Sequence, residues 1–307
     1  MKNKEKKAKE KKPGFFRQLS NEYRKDKVTF TIYMILRALV ILVGVRQFFI
    51  GNYENVFLCA FTLVLFLVPV FVERVFRVDV PALLENIVLI FIFAAEIMGE
   101  INSYYTRFAL WDTMLHVTTG FLAAAVGLSL IVILNRRKVF GLNLSPFFVA
   151  MFSFCFSMTI GVLWEFFEFG MDRLFLTDMQ RDTIVTTISS TLLNPDGLNV
   201  AVQIKGINDT VVNGQSLGIN GYLDIGLIDT IKDMFVNFIG ALTFSVIGYF
   251  YTRFSGKNGT KVVEGLMITK DPEVADSAAA VRYRVEAERG SALTEGENSP
   301  ESDGKSE

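Results

Sequence analysis

The sequence predicts an all-α membrane protein, a six-helix transmembrane bundle with a small extracytoplasmic β-hairpin insertion and disordered tails. Three observations carry this. The 307 residues are 51% hydrophobic and 13% aromatic, with a mean hydropathy of +0.36, which is too apolar for an ordinary soluble domain. The apolar residues gather in six runs, near 28–50, 54–72, 81–98, 112–134, 147–170 and 228–252, each long enough to cross a hydrocarbon layer about 30 Å thick. The net charge of −1 conceals a basic beginning and an acidic end. Backbone amides inside lipid need partners within the chain, so each run is read as a helix.

In chain order, residues 1–27 carry eleven Lys and Arg against four acids. That is too charged for a signal peptide, and no small-residue cleavage site follows. The segment is expected to be a disordered basic cytoplasmic tail able to touch anionic lipid, with Phe15, Phe16 and Leu19 as a candidate interfacial helix. The six-span domain is placed at 28–254. Arg74 and Arg77 lie between the second and third runs, Arg136, Arg137 and Lys138 between the fourth and fifth, and Arg253, Lys257 and Lys261 after the sixth. With six spans all fall on the side of the basic tail. The other side has no Lys or Arg at 51–53 and only Arg107 at 99–111. The positive-inside rule then puts both termini in the cytoplasm.

Within the spans, Gly120, Ala124, Gly127, Gly240 and Gly248 permit close helix approach. Trp111 and Trp164 sit where an aromatic belt is expected, and Arg37 is read as snorkelling or pairing with Glu85. Cys59 and Cys155 both lie in apolar runs. They exclude a disulfide framework and a cysteine metal site, and are read as buried packing residues.

The segment 173–227 is the one sizeable connection outside the bilayer. It is rich in β-branched residues and punctuated by the turns Asn194-Pro195-Asp196-Gly197 and Asn213-Gly214. A β-hairpin lid is expected over the mouth between the fifth and sixth helices, with Asp178 and Asp182 extending an acidic site. Asn208-Asp209-Thr210 matches a glycosylation sequon. Residues 255–307 are expected to form a disordered acidic cytoplasmic tail, 268–307 carrying ten acids against five bases. No nucleotide-binding motif occurs, and no nucleic-acid partner is expected.

The chemistry is expected where three helix ends meet. Asp112 and the only histidine, His116, are four residues apart and share one helix face. Glu165, Glu168 and Asp172 line a face at the end of the fifth run, and Asp229, Asp233 and Asn237 a face at the start of the sixth. Glu96 and Glu100 end the third. The six-span topology puts all of them in one outer-leaflet layer. An acid at mid-span costs about 2.5–3.5 kcal/mol, and less near the interface. Packed acids also repel, so protons or cations must neutralise some of them. The candidate cations are a divalent metal, His116, Arg46, Arg107 and Lys232. The candidate metal ligands are Asp112, His116, Glu165, Glu168, Asp229 and Asp233. One imidazole with hard carboxylates suits Zn, Mn or Fe better than Cu, and an oxygen-only subset suits Mg or Ca. The E-x-x-H pairs of di-metal carboxylate bundles are absent. Helix-end acids that simply meet water are the competing reading.

The motifs W-D-T-M-L-H-V-T-T-G, L-W-E-F-F-E-F and D-T-I-K-D-M-F-V-N-F-I-G-A resemble those of the YjdF-type multi-pass bacterial membrane proteins, across roughly the third to sixth helices. A fainter similarity is to VanZ-like proteins, linked to glycopeptide resistance; here Thr113 stands for their lysine and Glu168 for their glutamine. The resemblance implies a bacterial plasma membrane and supplies no reaction. Three functions stay open. One is a membrane enzyme acting on a lipid or cell-envelope substrate, with Asp112, His116, Glu165, Glu168 and Asp233 binding metal or moving protons. A second is a scaffold or envelope-stress factor. The third is an ion- or proton-coupled transporter, for which no inverted repeat is visible.

Overall fold

The computed structural model describes residues 27–136, 144–254 and 261–270. Six stretches of helix are long and apolar enough to span a membrane: Lys27–Ile50, Tyr53–Phe76, Ala82–Ile101, Trp111–Leu134, Pro146–Phe175 and Leu227–Arg253. Most of their apolar side chains face outward, Phe49 and Phe57 among them, which is the pattern lipid requires and water would not tolerate. The described residues divide into two compact units, 27–97 with 267–270, and those within 98–266.

In the first unit, helices α1 (Lys27–Ile50), α2 (Tyr53–Leu65) and α4 (Ala82–Phe93) pack together. Gly51, at φ +84°, turns the chain between α1 and α2, and the Asn52 side chain caps α2 by accepting from the Asn55 amide at 3.0 Å. The second span is broken at Phe66–Leu67, because Pro69 in the first turn of α3 (Val68–Phe76) has no N–H to continue the ladder. Arg74, expected in a connection, lies in the last turn of α3. Gly44 lets α1 approach Cys59 on α2, since a Cβ there would stand 3.2 Å from the cysteine Cβ. Arg37 stacks on Tyr33, its guanidinium 4.0 Å from the ring centre. Strand β1 (Val78–Asp79) pairs antiparallel with β8 (Thr269–Lys270).

The second unit is built on three long helices, α6 (Trp111–Arg136), α7 (Pro146–Phe175) and α8 (Leu227–Arg253). Small residues set their spacing. A Cβ on Gly120 would lie 2.2 Å from the Asn237 carbonyl oxygen, and one on Gly240 would lie 2.1 Å from that of Val117, so α6 and α8 touch backbone to backbone. Ser157 and Ser153 on α7 donate to the carbonyls of Gly120 and Ala124 at 2.7 and 2.6 Å. Ala124, Ala125, Leu128, Ala241 and Phe244 fill the core beyond these contacts. Cys155, expected to be buried, is exposed on the lipid-facing side of α7, whereas Cys59 is buried.

Between α7 and α8 the β-rich insertion is a nested set of antiparallel pairs rather than one hairpin. Strands β2 (Ile184–Val185) and β7 (Tyr222–Leu223) close its base. Strands β3 (Thr187–Ser190) and β4 (Val202–Lys205) form one arm, turning through Asn194–Gly197. Strands β5 (Val211–Val212) and β6 (Gln215–Ser216) form a second, turning through Asn213 and Gly214, both at positive φ. Within the segment expected to be an acidic tail, residues 261–270 are described. A short helix α9 (Lys261–Glu264) precedes β8, and Val263, Leu266, Met267 and Ile268 are buried. The basic tail with Phe15, Phe16 and Leu19, the loop with Arg137 and Lys138, and residues 271–307 lie outside the described residues.

Candidate functional site

The first turns of α6 and α8 and the last turns of α7 meet at one end of the three-helix unit. Spacings of three and four turn their polar residues inward. His116 Nε2 lies 3.6 Å from Asp112 Oδ1, one turn earlier on α6, and 3.7 Å from Asp233 Oδ2 on α8. On its α7 side stand Glu165 and Glu168. Ligand atoms of Asp112, His116 and Asp233 all fall within 4.8 Å of one another, and so do those of His116, Glu165 and Glu168. The imidazole is shared by both groups.

All of these side chains but Asp112, which is half-buried, are buried. Glu165 is 4% exposed and Asp233 2%. Four carboxylates around one imidazolium would leave three negative charges in a space that excludes most water, so protons or a cation must neutralise the cluster. Some oxygens are held. Trp164 Nε1 donates to Glu168 Oε1 at 2.9 Å, a role beyond belt packing for an indole that is still half-exposed. Gln180 Nε2 donates to Thr230 Oγ1 at 2.7 Å and, more weakly, to Glu165 Oε2 at 3.4 Å. Two oxygens are not held: Asp233 Oδ1 and Asn237 Oδ1, a turn apart on α8, are buried without a hydrogen-bond partner. The Asn237 amide sits in a slot made by two glycines. A Cβ on Gly161 would come within 2.5 Å of its Nδ2, and one on Gly120 within 3.0 Å of its Oδ1.

Not every expected residue joins this cluster. Asp229 turns to the loop after α7, accepting from the Arg181 amide at 3.0 Å, and pairs with Lys232 at 3.7 Å. Asp172 binds the same loop, accepting from Thr177 Oγ1 and from the amides of Met179 and Gln180. Asp178 and Asp182 line, with Asp172, Arg173 and Gln180, a pocket of about 150 Å³ that none of the four clustered acids lines. Burial, with Asp178 and Asp224 nearby, pushes the Asp182 carboxyl above the usual carboxylate range. Glu100 lies within electrostatic reach of Asp112 and Arg181. Glu96 and Arg46 belong to the other unit.

Gln180, Arg181, Thr230 and Tyr105 are the participants that periodicity did not reveal. The Arg181 guanidinium donates to the Tyr105 carbonyl and stacks on its ring, 4.8 Å from the centroid. The available signal was compositional, a single base set between Asp178 and Asp182.

Six apolar helices, three of which bring polar side chains together at one end of their unit, define a multi-pass α-helical membrane protein. The family described as "Predicted membrane protein (DUF2238)" matches residues 29–254, and the chain belongs to it. This is the YjdF-type family expected from the three motifs. No curated protein and no solved structure matches the chain, and the fainter VanZ-like similarity is not shown.

Proposed function

We propose that the protein is a plasma-membrane enzyme whose Asp112, His116, Glu165, Glu168 and Asp233 hold a divalent cation at the extracytoplasmic end of the bundle, where a lipid or cell-envelope substrate can reach it. The observation that carries the reading is His116, shared by two carboxylate groups, beside an Asp233 oxygen buried without a partner. Such an oxygen costs about 1–3 kcal/mol unless something binds it. One imidazole with carboxylates suits Zn, Mn or Fe. A bound cation would polarise a phosphoryl or carbonyl oxygen or activate water, while His116 or a neighbouring carboxyl moves the proton.

The extracytoplasmic placement rests on the positive-inside pattern, and the bacterial plasma membrane on the family's motifs. Transport ranks last because the buried acids stop at one end of the three-helix unit. Among the described residues the buried acids and imidazole are Glu165, Glu168, Asp233 and His116, and the core beyond them is Ala124, Ala125, Leu128 and Phe244 with the hydroxyls of Ser129, Ser153, Ser157 and Ser245. A scaffold reading draws on Asp172 and Asp229, which fasten a loop.

Elemental analysis of the detergent-purified full chain, beside His116→Ala and Asp233→Asn, tests the proposal. About one Zn, Mn or Fe per wild-type chain is expected, lost in both variants. A wild type that carries no stoichiometric metal at any purity overturns the metalloenzyme reading and leaves the scaffold.

A further inference from the structure

The loop leaving α7 is tied down at Thr177, Met179, Gln180, Arg181 and Thr183. Leu176 ends the helix at φ +55°, a left-handed termination that turns the chain back over the helix end. Asp172, one turn back, then takes Thr177, Met179 and Gln180 in sequence at 2.7–2.8 Å. The Gln180 side chain points into the cluster and bridges Glu165 on α7 to Thr230 on α8. Arg181 follows with its amide on Asp229 and its guanidinium on Tyr105, in the short helix α5 (Tyr104–Arg107) before α6. Thr183 closes the run with its amide on Asp224 Oδ1 at 2.7 Å. Seven residues thus stitch together the ends of three helices, across the face where His116 and Glu165 lie.

We propose that residues 177–183 form a strap that closes the imidazole–carboxylate site, with Gln180 as its inward pin and Arg181 as its outer anchor. It rests on the proposed function only for the identity of what it retains, the divalent cation. Gln180 is a positioning residue. It fixes the Glu165 carboxylate through a long, weak hydrogen bond of 3.4 Å, and a cation approaching Glu165 competes with that bond. The hairpin arms beyond β2 and β7 make none of these ties. The lid expected of the whole insertion is therefore this short segment.

His116 is the only histidine in the chain, so in chelator-treated, metal-free protein its carbethoxylation by diethylpyrocarbonate reports access to the site with no ion on the imidazole. In the detergent-purified full chain, Gln180→Ala and Arg181→Ala should each speed the reaction about tenfold, as expected from losing one or two hydrogen bonds that hold a local closure. Asp178→Ala, on the same loop, should leave it unchanged. Helical variants that react at the wild-type rate overturn the strap, as does a wild-type His116 already as reactive as free imidazole. Should the variants lose their fold, amide deuterium exchange in the wild type decides. Met179, Gln180 and Arg181, bonded to Asp172 or Asp229, should be protected; exchange at the free-chain rate overturns the proposal. Metal content of the same samples is read separately, so a metal-free protein ends the cation site while His116 protection still decides the strap.

Discussion

His116 has a carboxylate on either side along α6 and α8 and two more across on α7, at distances too long for hydrogen bonds and short enough for ligands of one ion to draw in. This geometry makes Asp233 costly in the absence of a cation. Asp233→Asn should raise the thermal midpoint of chelator-treated protein, because it removes a buried negative charge from beside three other carboxylates, an effect of about 1 kcal/mol or more. The same variant should lose the stabilisation that added Zn²⁺ gives the wild type. Paired melting curves with chelator and with Zn²⁺ check both directions. The glycines make a second prediction. Gly120→Ala and Gly240→Ala force a methyl to within 2.2 and 2.1 Å of backbone oxygens and should destabilise by about 1–3 kcal/mol. Gly170→Ala, with nothing within 4 Å, should be neutral or stabilising by up to about 1 kcal/mol. Thermal unfolding in one detergent compares the three.

At the scale of elements, all six spans were legible, because a bilayer demands long apolar runs and nothing else in the chain supplies them. Their ends were not. The helix of the fifth run continues to Phe175 through Asp172 and Arg173, charged residues that hydropathy discounts but a helix end accommodates. The break at Pro69 leaves the apolar run intact, so hydropathy passed over it. The meeting of Asp112, His116, Glu165 and Asp233 was legible from spacings of three and four. Asp172 and Asp229 share that spacing yet serve the loop, since periodicity gives a face and not a partner. Gln180 and Arg181 sit in irregular chain, where no period exists to read. Asp172 itself is testable at this scale. Removing its carboxylate in Asp172→Ala deletes three hydrogen bonds and should expose Arg181, so limited trypsin cleavage after that residue should quicken about tenfold over wild type.

For the whole molecule, the proposed sidedness rests on where the positive charges lie. Single cysteines at Asp209 in the insertion and at Arg74 at the end of α3, each in a background lacking Cys59 and Cys155, should part cleanly in intact cells. The insertion should label with an impermeant maleimide and the α3 site should not. The reverse pattern would turn the bundle over and move the site to the cytoplasmic side. The same arrangement explains why the ionisable side chains of the three-helix unit gather at one end. Acids gather where the helices meet the interface, and Ala125, Leu128, Ala241 and Phe244 pack the interior below them.

The account turns on the imidazole and the carboxylates acting as one set of ligands. X-ray absorption at the zinc edge of the Zn²⁺-loaded full chain tests that most directly. The expected spectrum shows a single imidazole, with nitrogen and oxygen neighbours at about 2.0–2.2 Å, and His116→Ala retains no stoichiometric zinc to give one. A sulfur shell near 2.3 Å, or a wild-type spectrum without imidazole, would contradict it.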